Sequence, residues 1–356
     1  MTTMTIVLLI AGLVLLVAGA ELMVRGASRL ALGLGISPLL VGLTVMAYGT
    51  SAPELAISVG AALNGQPDIA LGNVIGSNIA NVLLILGISA IVAPLVVSRQ
   101  LVWLDVPIMV GVSILVMVLA WDGQLSRGSG VALLAGAVAY TLLQIYMARR
   151  ELPAGSDPPE KFHTPLWKNL LLLAVGLALL VMGARWLVGS AVTIAQALGV
   201  SELVIGLTVV AVGTSLPELA TSVVAAMRGE RDIAVGNIVG SNLFNLLMVL
   251  GAAVALSPGG MAVSAAAVNF DFPVMTAVAV ACLPIFFTGH CIQRWEGALF
   301  LGYYVAYTTY LLLNAAGHEA LPAFSQAMML FVVPLTVITL LVVTVRTWRS
   351  RSTPAA

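Results

Sequence analysis

Long apolar runs separated by short polar punctuation dominate the chain. Runs long enough to cross a bilayer, about 20 residues each, fall at 5–24, 37–63, 69–96, 101–121, 129–148, 167–188, 201–227, 232–257, 268–288, 295–315 and 324–345. They predict eleven transmembrane helices. The longest interruption, 151–168 (ELPAGSDPPEKFHTPLWK), is rich in proline and charge and splits the runs into five and five, with one appended. The expected organisation is a five-helix unit at 1–150, a cytoplasmic linker at 151–166, a second five-helix unit at 167–316, and an extra helix with a basic tail at 317–356.

Composition narrows the class. Apolar residues make up 60% of the chain and charged residues 8%, which excludes a soluble domain and predicts an all-α polytopic membrane protein. The 15 basic and 15 acidic residues cancel, so net charge says nothing about nucleic-acid or acidic partners; the expected partners are ions and the lipid bilayer, with no nucleic acid. Cys282 and Cys291 read as small apolar fillers, and His163, His290 and His318 are scattered, so neither a soft-metal site nor a cofactor is expected. The run from Thr5 lacks a basic flank or a clear cleavage site and reads as a first transmembrane helix.

Two of the runs are copies. Residues 42–87 and 206–251 align without a gap, and 29 of the 46 positions are identical. An odd number of spans separates the copies, so the second must insert upside down. Basic residues agree: with the N-terminus outside and the C-terminus cytoplasmic, 13 of the 15 face inward, and only Arg127 and Arg185 face out. The hairpin NGQPD (64–68) carries no basic residue, whereas its twin RGERD (228–232) carries two. Weaker matches, 19–35 with 183–199 and DVP (105–107) with DFP (271–273), extend the duplication to the whole five-helix unit. Inverted repeats of this kind place ion and substrate sites near the midplane, where discontinuous helices meet.

Each copy buries one glutamate, Glu54 or Glu218, in an apolar run with no basic residue at its depth. A carboxylate there costs at least ~2.5–3.5 kcal/mol, so a matched pair calls for a cation or a water-filled site. Pro53 and Pro217 remove a backbone donor and, with Gly49 and Gly213, interrupt the helix. Carbonyls around Ala47 and Thr50, and around Ala211 and Thr214, are expected to lose partners there. Hydroxyls (Thr50, Ser51, Thr214, Ser215) stand beside them, and the next helix adds Ser77 with Asn81, and Ser241 with Asn245, each pair one turn apart. This inventory is all oxygen and suits hard cations such as Ca²⁺ or Na⁺. One Ca²⁺ or two monovalent ions neutralise two carboxylates. Gly72 with Gly76 and Gly236 with Gly240 read as helix-packing positions. Asn73, Asn78, Asn237 and Asn242 fit bracing and ion contact equally. Asp105 and Asp271 read as structural or capping acids, and Glu21 and Arg185 as structural groups at equivalent positions.

The motifs GTSAPE…GNVIGSNIANVLLILG and GTSLPE…GNIVGSNLFNLLMVLG resemble the two alpha-repeats of the calcium/cation antiporter superfamily, in particular its prokaryotic sodium/calcium exchanger-like proteins. The resemblance implies a ten-helix exchanger core of two inverted five-helix repeats, with the eleventh helix outside it. It implies that the second, third, seventh and eighth spans enclose the ions while the first and sixth slide across them. By motif position, Glu54 and Glu218 would be carboxylates shared by Ca²⁺ and Na⁺, and Thr50 and Thr214 would offer backbone carbonyls to Ca²⁺. Ala47, Ser51 and Ser77, with Ala211, Ser215 and Ser241, would line two flanking Na⁺ sites, and Asn81 and Asn245 would face the middle. Some relatives carry an aspartate where this chain has Asn245, so its site has one acid fewer.

The expected activity is secondary-active antiport of Ca²⁺ against Na⁺ by alternating access, in a prokaryotic plasma (inner) membrane. An H⁺-coupled antiporter on the same fold is the nearest alternative. A passive channel is disfavoured because tight binding slows permeation. No enzymatic role is expected, since neither a nucleotide motif nor a nucleophile accompanies the glutamates.

Overall fold

The computed structural model describes residues 3–151 and 165–352. Most of the 151–166 linker, with Lys161 and His163, and the end of the C-terminal tail lie outside the described residues. The chain folds into helices α1 (Thr3–Leu34), α2 (Pro38–Thr50), α3 (Ala52–Leu63), α4 (Pro67–Val92), α5 (Leu101–Leu119) and α6 (Arg127–Glu151). The same order then recurs as α7 (Leu166–Ala197), α8 (202–213), α9 (Leu216–Met227), α10 (Arg231–Leu256), α11 (Ala267–Phe287) and α12 (Arg294–Ala315). Helix α13 (Leu321–Val345) follows alone.

Among the described residues, eight helices are long and apolar enough to span a membrane, and the pair α2–α3, bent by 46°, makes a ninth. This is an integral membrane protein. Two expected spans fall outside that count. The 201–227 run forms α8 and the 12-residue α9 on either side of a break at 214–215. The 295–315 run does form the 22-residue α12, but Tyr303, Tyr304, Tyr307 and Tyr310, interleaved with threonines, dilute its hydropathy.

Burial follows the duplication. In α4 and α10, 83% of the most apolar window is buried, against 44% in α5 and α11 and 28% in α1 and α7. The duplicated polar helices therefore form the centre, with the apolar ones around them. None of that window in α13 is buried; Tyr303 of α12 donates to Thr336 on it at 2.7 Å. The αα-hairpins α3–α4 and α9–α10 turn at Gly65 (φ 69°) and Gly229 (φ 79°), a left-handed geometry that glycine adopts without Cβ strain.

π-helical turns recur at matched positions: Gly42–Met46 with Gly206–Val210, Asn81–Leu86 with Asn245–Val249, and Leu101–Asp105 with Ala267–Asp271. Such single turns widen a helix and are frequent at functional sites. Two minimal antiparallel ladders join the halves: β1 (Leu95–Val96) with β4 (Cys291–Ile292), and β2 (Gln124–Leu125) with β3 (Met261–Ala262). Each pairs a strand of one half with the non-equivalent strand of the other. Because α5 separates β1 from β2, the equivalent strands β1 and β3 lie at opposite ends of it.

The long helices α1 and α7 cross antiparallel in backbone contact. A Cβ on Gly12 would lie 2.7 Å from Leu187 N and 2.9 Å from Gly183 O; one on Gly19 would lie 2.7 Å from Gly176 O. Gly26 meets the Asn169 carbonyl in the same way at 3.2 Å. The seven-residue spacing of Gly12, Gly19 and Gly26 against Gly183, Gly176 and Asn169 keeps one narrow seam in register.

Candidate functional site

The site lies where α2–α3 and α8–α9 break against α4 and α10. Pro53 and Pro217 sit in the first turns of α3 and α9, where a missing N–H costs nothing, and this fixes the breaks just before them. In the first repeat the Ser51 N–H reaches back to the Ala47 carbonyl at 3.1 Å, and the ladder resumes with Leu55 N–H to the Ser51 carbonyl at 3.1 Å. The Ala47 carbonyl, expected to lose its partner, thus keeps one. In the second repeat the Ser215 N–H donates to the Val212 carbonyl at 3.1 Å. Ala211 begins the short helix Ala211–Gly213; its side chain lies outside the described part of the structure.

The two carboxylates converge. Glu54 and Glu218 are each 1% exposed, and they are close enough for Glu218 to act electrostatically on Glu54. The Ser51 hydroxyl donates to Glu218 Oε1 at 2.9 Å, linking the break of one repeat to the glutamate of the other. Both Glu54 oxygens and Glu218 Oε2 have no protein partner. Neither do the hydroxyls of Ser77, Ser215 and Ser241, Asn81 Oδ1, or both amide atoms of Asn245. Buried polar atoms are almost always hydrogen-bonded. These orphaned oxygens, on residues expected at the site, form a cradle with the chemistry of a hard-cation site; Ser89, Asp105 and Asn169 carry orphaned atoms as well. Thr50 is buried and Thr214 half-buried.

The asparagines divide by role. Asn237 accepts from the Thr50 hydroxyl at 3.3 Å and donates to Thr221 and Ser222, each at 3.1 Å, so it bridges the repeats. Its counterpart Asn73 stays within its own repeat, on the Glu54 carbonyl (3.3 Å) and Ser58 (2.8 Å). Asn78 donates to the Val74 carbonyl at 2.8 Å, while Asn242 accepts from Asn81 at 3.0 Å. Sequence could not choose between bracing and ion contact for these four. All four make protein hydrogen bonds.

The glycine pairs correct one expectation. Gly236 and Gly240 do serve packing: a Cβ there would meet Leu39 O at 2.9 Å and Leu43 O at 2.6 Å, so α2 rides on α10 in backbone contact. Gly72 and Gly76 have nothing within 4 Å. The end of α8 at 211–213 contacts α4, while Gly206, the counterpart of Gly42, is exposed. The asymmetry continues outward. Helix α9 packs on α1, whereas the corresponding pair α3 and α7 barely touch. Ala52, Ala56 and Ile57 of α3 are exposed, whereas Leu216 and Thr221 of α9 are buried. The α1 side of the site is therefore the more closely packed. On that side, Glu21 pairs with Arg25 (2.6 Å) and Arg228, and Ser28 donates to Glu230 at 2.6 Å. Glu21 thus has the structural role expected of it, in a bridge between α1 and α9.

Asp105 is no helix cap. It ends a π-helical turn inside α5, fully buried, and accepts from Tyr140 (2.9 Å) and Gln144 (2.6 Å) of α6; Gln100 extends the chain to Gln144 at 3.0 Å. Sequence reasoning missed Tyr140 and Gln144, although a Tyr and a Gln four apart mark one face of an otherwise apolar helix. Tyr48 bonds Thr141 on the same helix and packs its ring 4.5 Å from Phe244.

Comparison with known proteins places this architecture. The sodium/calcium exchanger protein family matches residues 4–146 and 168–313. CaxA of Alkalimonas amylolytica is 41% identical over 297 residues, 80% of this chain and 91% of its own. The sodium/calcium exchanger MaX1 of Methanosarcina acetivorans is 34% identical over 349 residues, covering 87% of this chain and 99% of its own. A solved structure of the sodium-calcium exchanger NCX_Mj, soaked with Na⁺ and Sr²⁺, superposes with a TM-score of 0.76 at 32% identity, covering 87% of this chain and 99% of that one. With a duplicated, oxygen-lined break around two buried glutamates, the chain belongs to the sodium/calcium exchanger protein family and is a cation exchanger-type membrane antiporter.

Proposed function

We propose that this protein exchanges Ca²⁺ for Na⁺ by alternating access, on two inverted five-helix repeats, with Glu54 and Glu218 as the carboxylates both ions compete for. The observation that carries the reading is the set of buried, unpartnered oxygens on Glu54, Glu218, Ser77, Ser215, Ser241, Asn81 and Asn245. Thr50 and Thr214 would add backbone carbonyls to Ca²⁺, and Ala47 and Ala211 would line the flanking Na⁺ positions. Two carboxylates balance one Ca²⁺ or two Na⁺, so occupancy by one excludes the other and couples their gradients. The names of MaX1 and NCX_Mj support Na⁺ as the counter-ion. The pairing of β1 with β4 and β2 with β3 supports inversion of the repeats. The loop charges support an N-terminus outside and a cytoplasmic C-terminus.

Everted vesicles loaded with ⁴⁵Ca²⁺ and given either a Na⁺ or a pH gradient test the reading. Exchange should follow the Na⁺ gradient and vanish in Glu54→Gln and Glu218→Gln. Flux driven by the pH gradient alone would reassign the counter-ion to H⁺. Activity surviving both substitutions would remove the glutamates from the site.

A further inference from the structure

The polar cluster around Asp105 lies outside the ion cradle and takes no part in the exchange proposed above. Asp105 is fully buried and is met by neutral groups: Oδ1 accepts from Tyr140 at 2.9 Å and from Gln144 at 2.6 Å, both on α6. Oδ2 is buried without a partner. Among the described residues, the ionisable side chain that faces Asp105 is Tyr140. Arg231 and Asp232 on α10, Asp271 and Cys282 on α11, and Arg99 just before α5 bring no charge to bear on it. An isolated carboxylate in such a place takes up a proton or a cation, because an uncompensated buried charge is too costly. The geometry selects the proton. Tyr140 and Gln144 aim donors at the carboxyl, where a metal ion would need acceptors. A proton can add at Oδ2 and leave both bonds to Oδ1 in place. Gln100, half-buried ahead of α5, donates to Gln144 at 3.0 Å and forms the rim of the cluster.

The duplication repeats the acid and the tyrosine but not the enclosure. Asp271 is half-buried with Tyr307 nearby, and Leu311 follows Tyr307 by four residues where Gln144 follows Tyr140. The closed cluster belongs to the first repeat, and there it is tied to the cation site. Thr141, next to Tyr140, bonds the Tyr48 hydroxyl. Tyr48 lies on α2 between Ala47 and Thr50, and its ring centroid is 4.5 Å from that of Phe244, the neighbour of Asn245.

We propose that Asp105 is a proton-binding site separate from the cation cradle, and that its charge is passed through α6 and Tyr48 to the cation site. Ionised, Asp105 holds Tyr140 and Gln144 by charge-assisted bonds, roughly twice as strong as neutral ones. The face of α6 that carries Thr141 is then held firmly against α2, and the turn from Ala47 to Thr50 is pre-organised for a cation. Protonation keeps both bonds but weakens them, so this hold loosens and calcium binds less tightly. The link to calcium rests on the cation-site reading; the proton site itself does not.

Infrared difference spectra between alkaline and acid pH, taken on the purified full chain in lipid, detect the carbonyl stretch of each carboxyl that gains a proton. One such band should vanish in Asp105→Asn and persist in Glu54→Gln and Glu218→Gln. It should move to higher frequency in Tyr140→Phe, which removes one donor from Oδ1. Asp105→Asn copies the neutral form in shape, so at alkaline pH it should weaken calcium binding roughly 2- to 10-fold, the weight of one net hydrogen bond. In a Tyr48→Phe background, which keeps the ring but loses the bond to Thr141, the same substitution should change nothing. Should Asp105→Asn fold poorly, the band shift in Tyr140→Phe carries the assignment. Spectra in which no pH-dependent band depends on Asp105 or Tyr140 would overturn the proton site. No weakening of calcium binding by Asp105→Asn, or equal weakening with and without the Tyr48 hydroxyl, would overturn the link to the cation site. Loss of Na⁺-driven exchange in wild type with the Asp105 band intact would sink only the exchange reading.

Discussion

Replacing Gly183 by alanine adds a single methyl group at the crossing of α1 and α7. That Cβ would lie 2.6 Å from Leu16 N and 2.7 Å from Gly12 O, both backbone atoms of the facing helix. Ordinary contact is about 3.5 Å, so the two helices must part by roughly 0.8 Å, and such a gap forfeits a quarter to a half of each neighbouring dispersion contact. Overpacking of this kind costs about 1–3 kcal/mol. Alanine also gains about 1 kcal/mol over glycine in helix propensity, which hides part of the cost. Gly189, six residues along the same helix, removes that ambiguity, since nothing lies within 4 Å of it. Gly189→Ala gains the propensity term without the clash, so the difference between the two variants isolates the crossing at about 1–3 kcal/mol. Reversible unfolding in mixed micelles measures it. Calcium affinity should be unchanged, because Gly183 contacts α1 and none of the site residues, while turnover should fall if α1 and α7 move as one body. Indistinguishable stabilities for Gly183→Ala and Gly189→Ala would refute the claim that this seam is closed at backbone distance.

Three further outcomes are expected. Ser51→Ala removes a hydroxyl donor from Glu218 and should alter ion affinity more than Ser215→Ala, whose hydroxyl has no protein partner; calcium titrations of the two variants compare them, and equal effects would contradict the asymmetry. Gln144→Leu takes a donor from the buried Asp105 and should destabilise the fold by about 1–3 kcal/mol, read as a lowered melting temperature. Glu21→Gln breaks the bridge from α1 to Arg228, and because both side chains are more than a quarter exposed, it should cost only about 0.2–1 kcal/mol, read as a small drop in melting temperature.

Much of the site was legible before folding. A charge in hydrocarbon is costly wherever the chain goes, so Glu54 and Glu218 stood out as a pair from composition and repetition alone. The hydroxyls and amides around them were recognisable for the same reason. The partners of these groups were not legible. Asn73 and Asn237 occupy the same motif position, yet only Asn237 reaches across to the other repeat. Gly72 and Gly236 are equally small, yet only Gly236 touches a neighbour. Tyr140 and Gln144 acquire a role only because α6 packs beside Asp105.

The sequence by itself determined the membrane class, the duplication, the breaks at Pro53 and Pro217 and the oxygen chemistry of the site. These follow from local covalent geometry and from the cost of polar groups in an apolar medium. Only the tertiary structure decided which repeat is docked and which is open. Two nearly identical segments have nearly identical local energies, so no residue in either copy can say which one is packed. That asymmetry belongs to the whole bundle, where α2 is seated on α10 in backbone contact at Gly236 and Gly240.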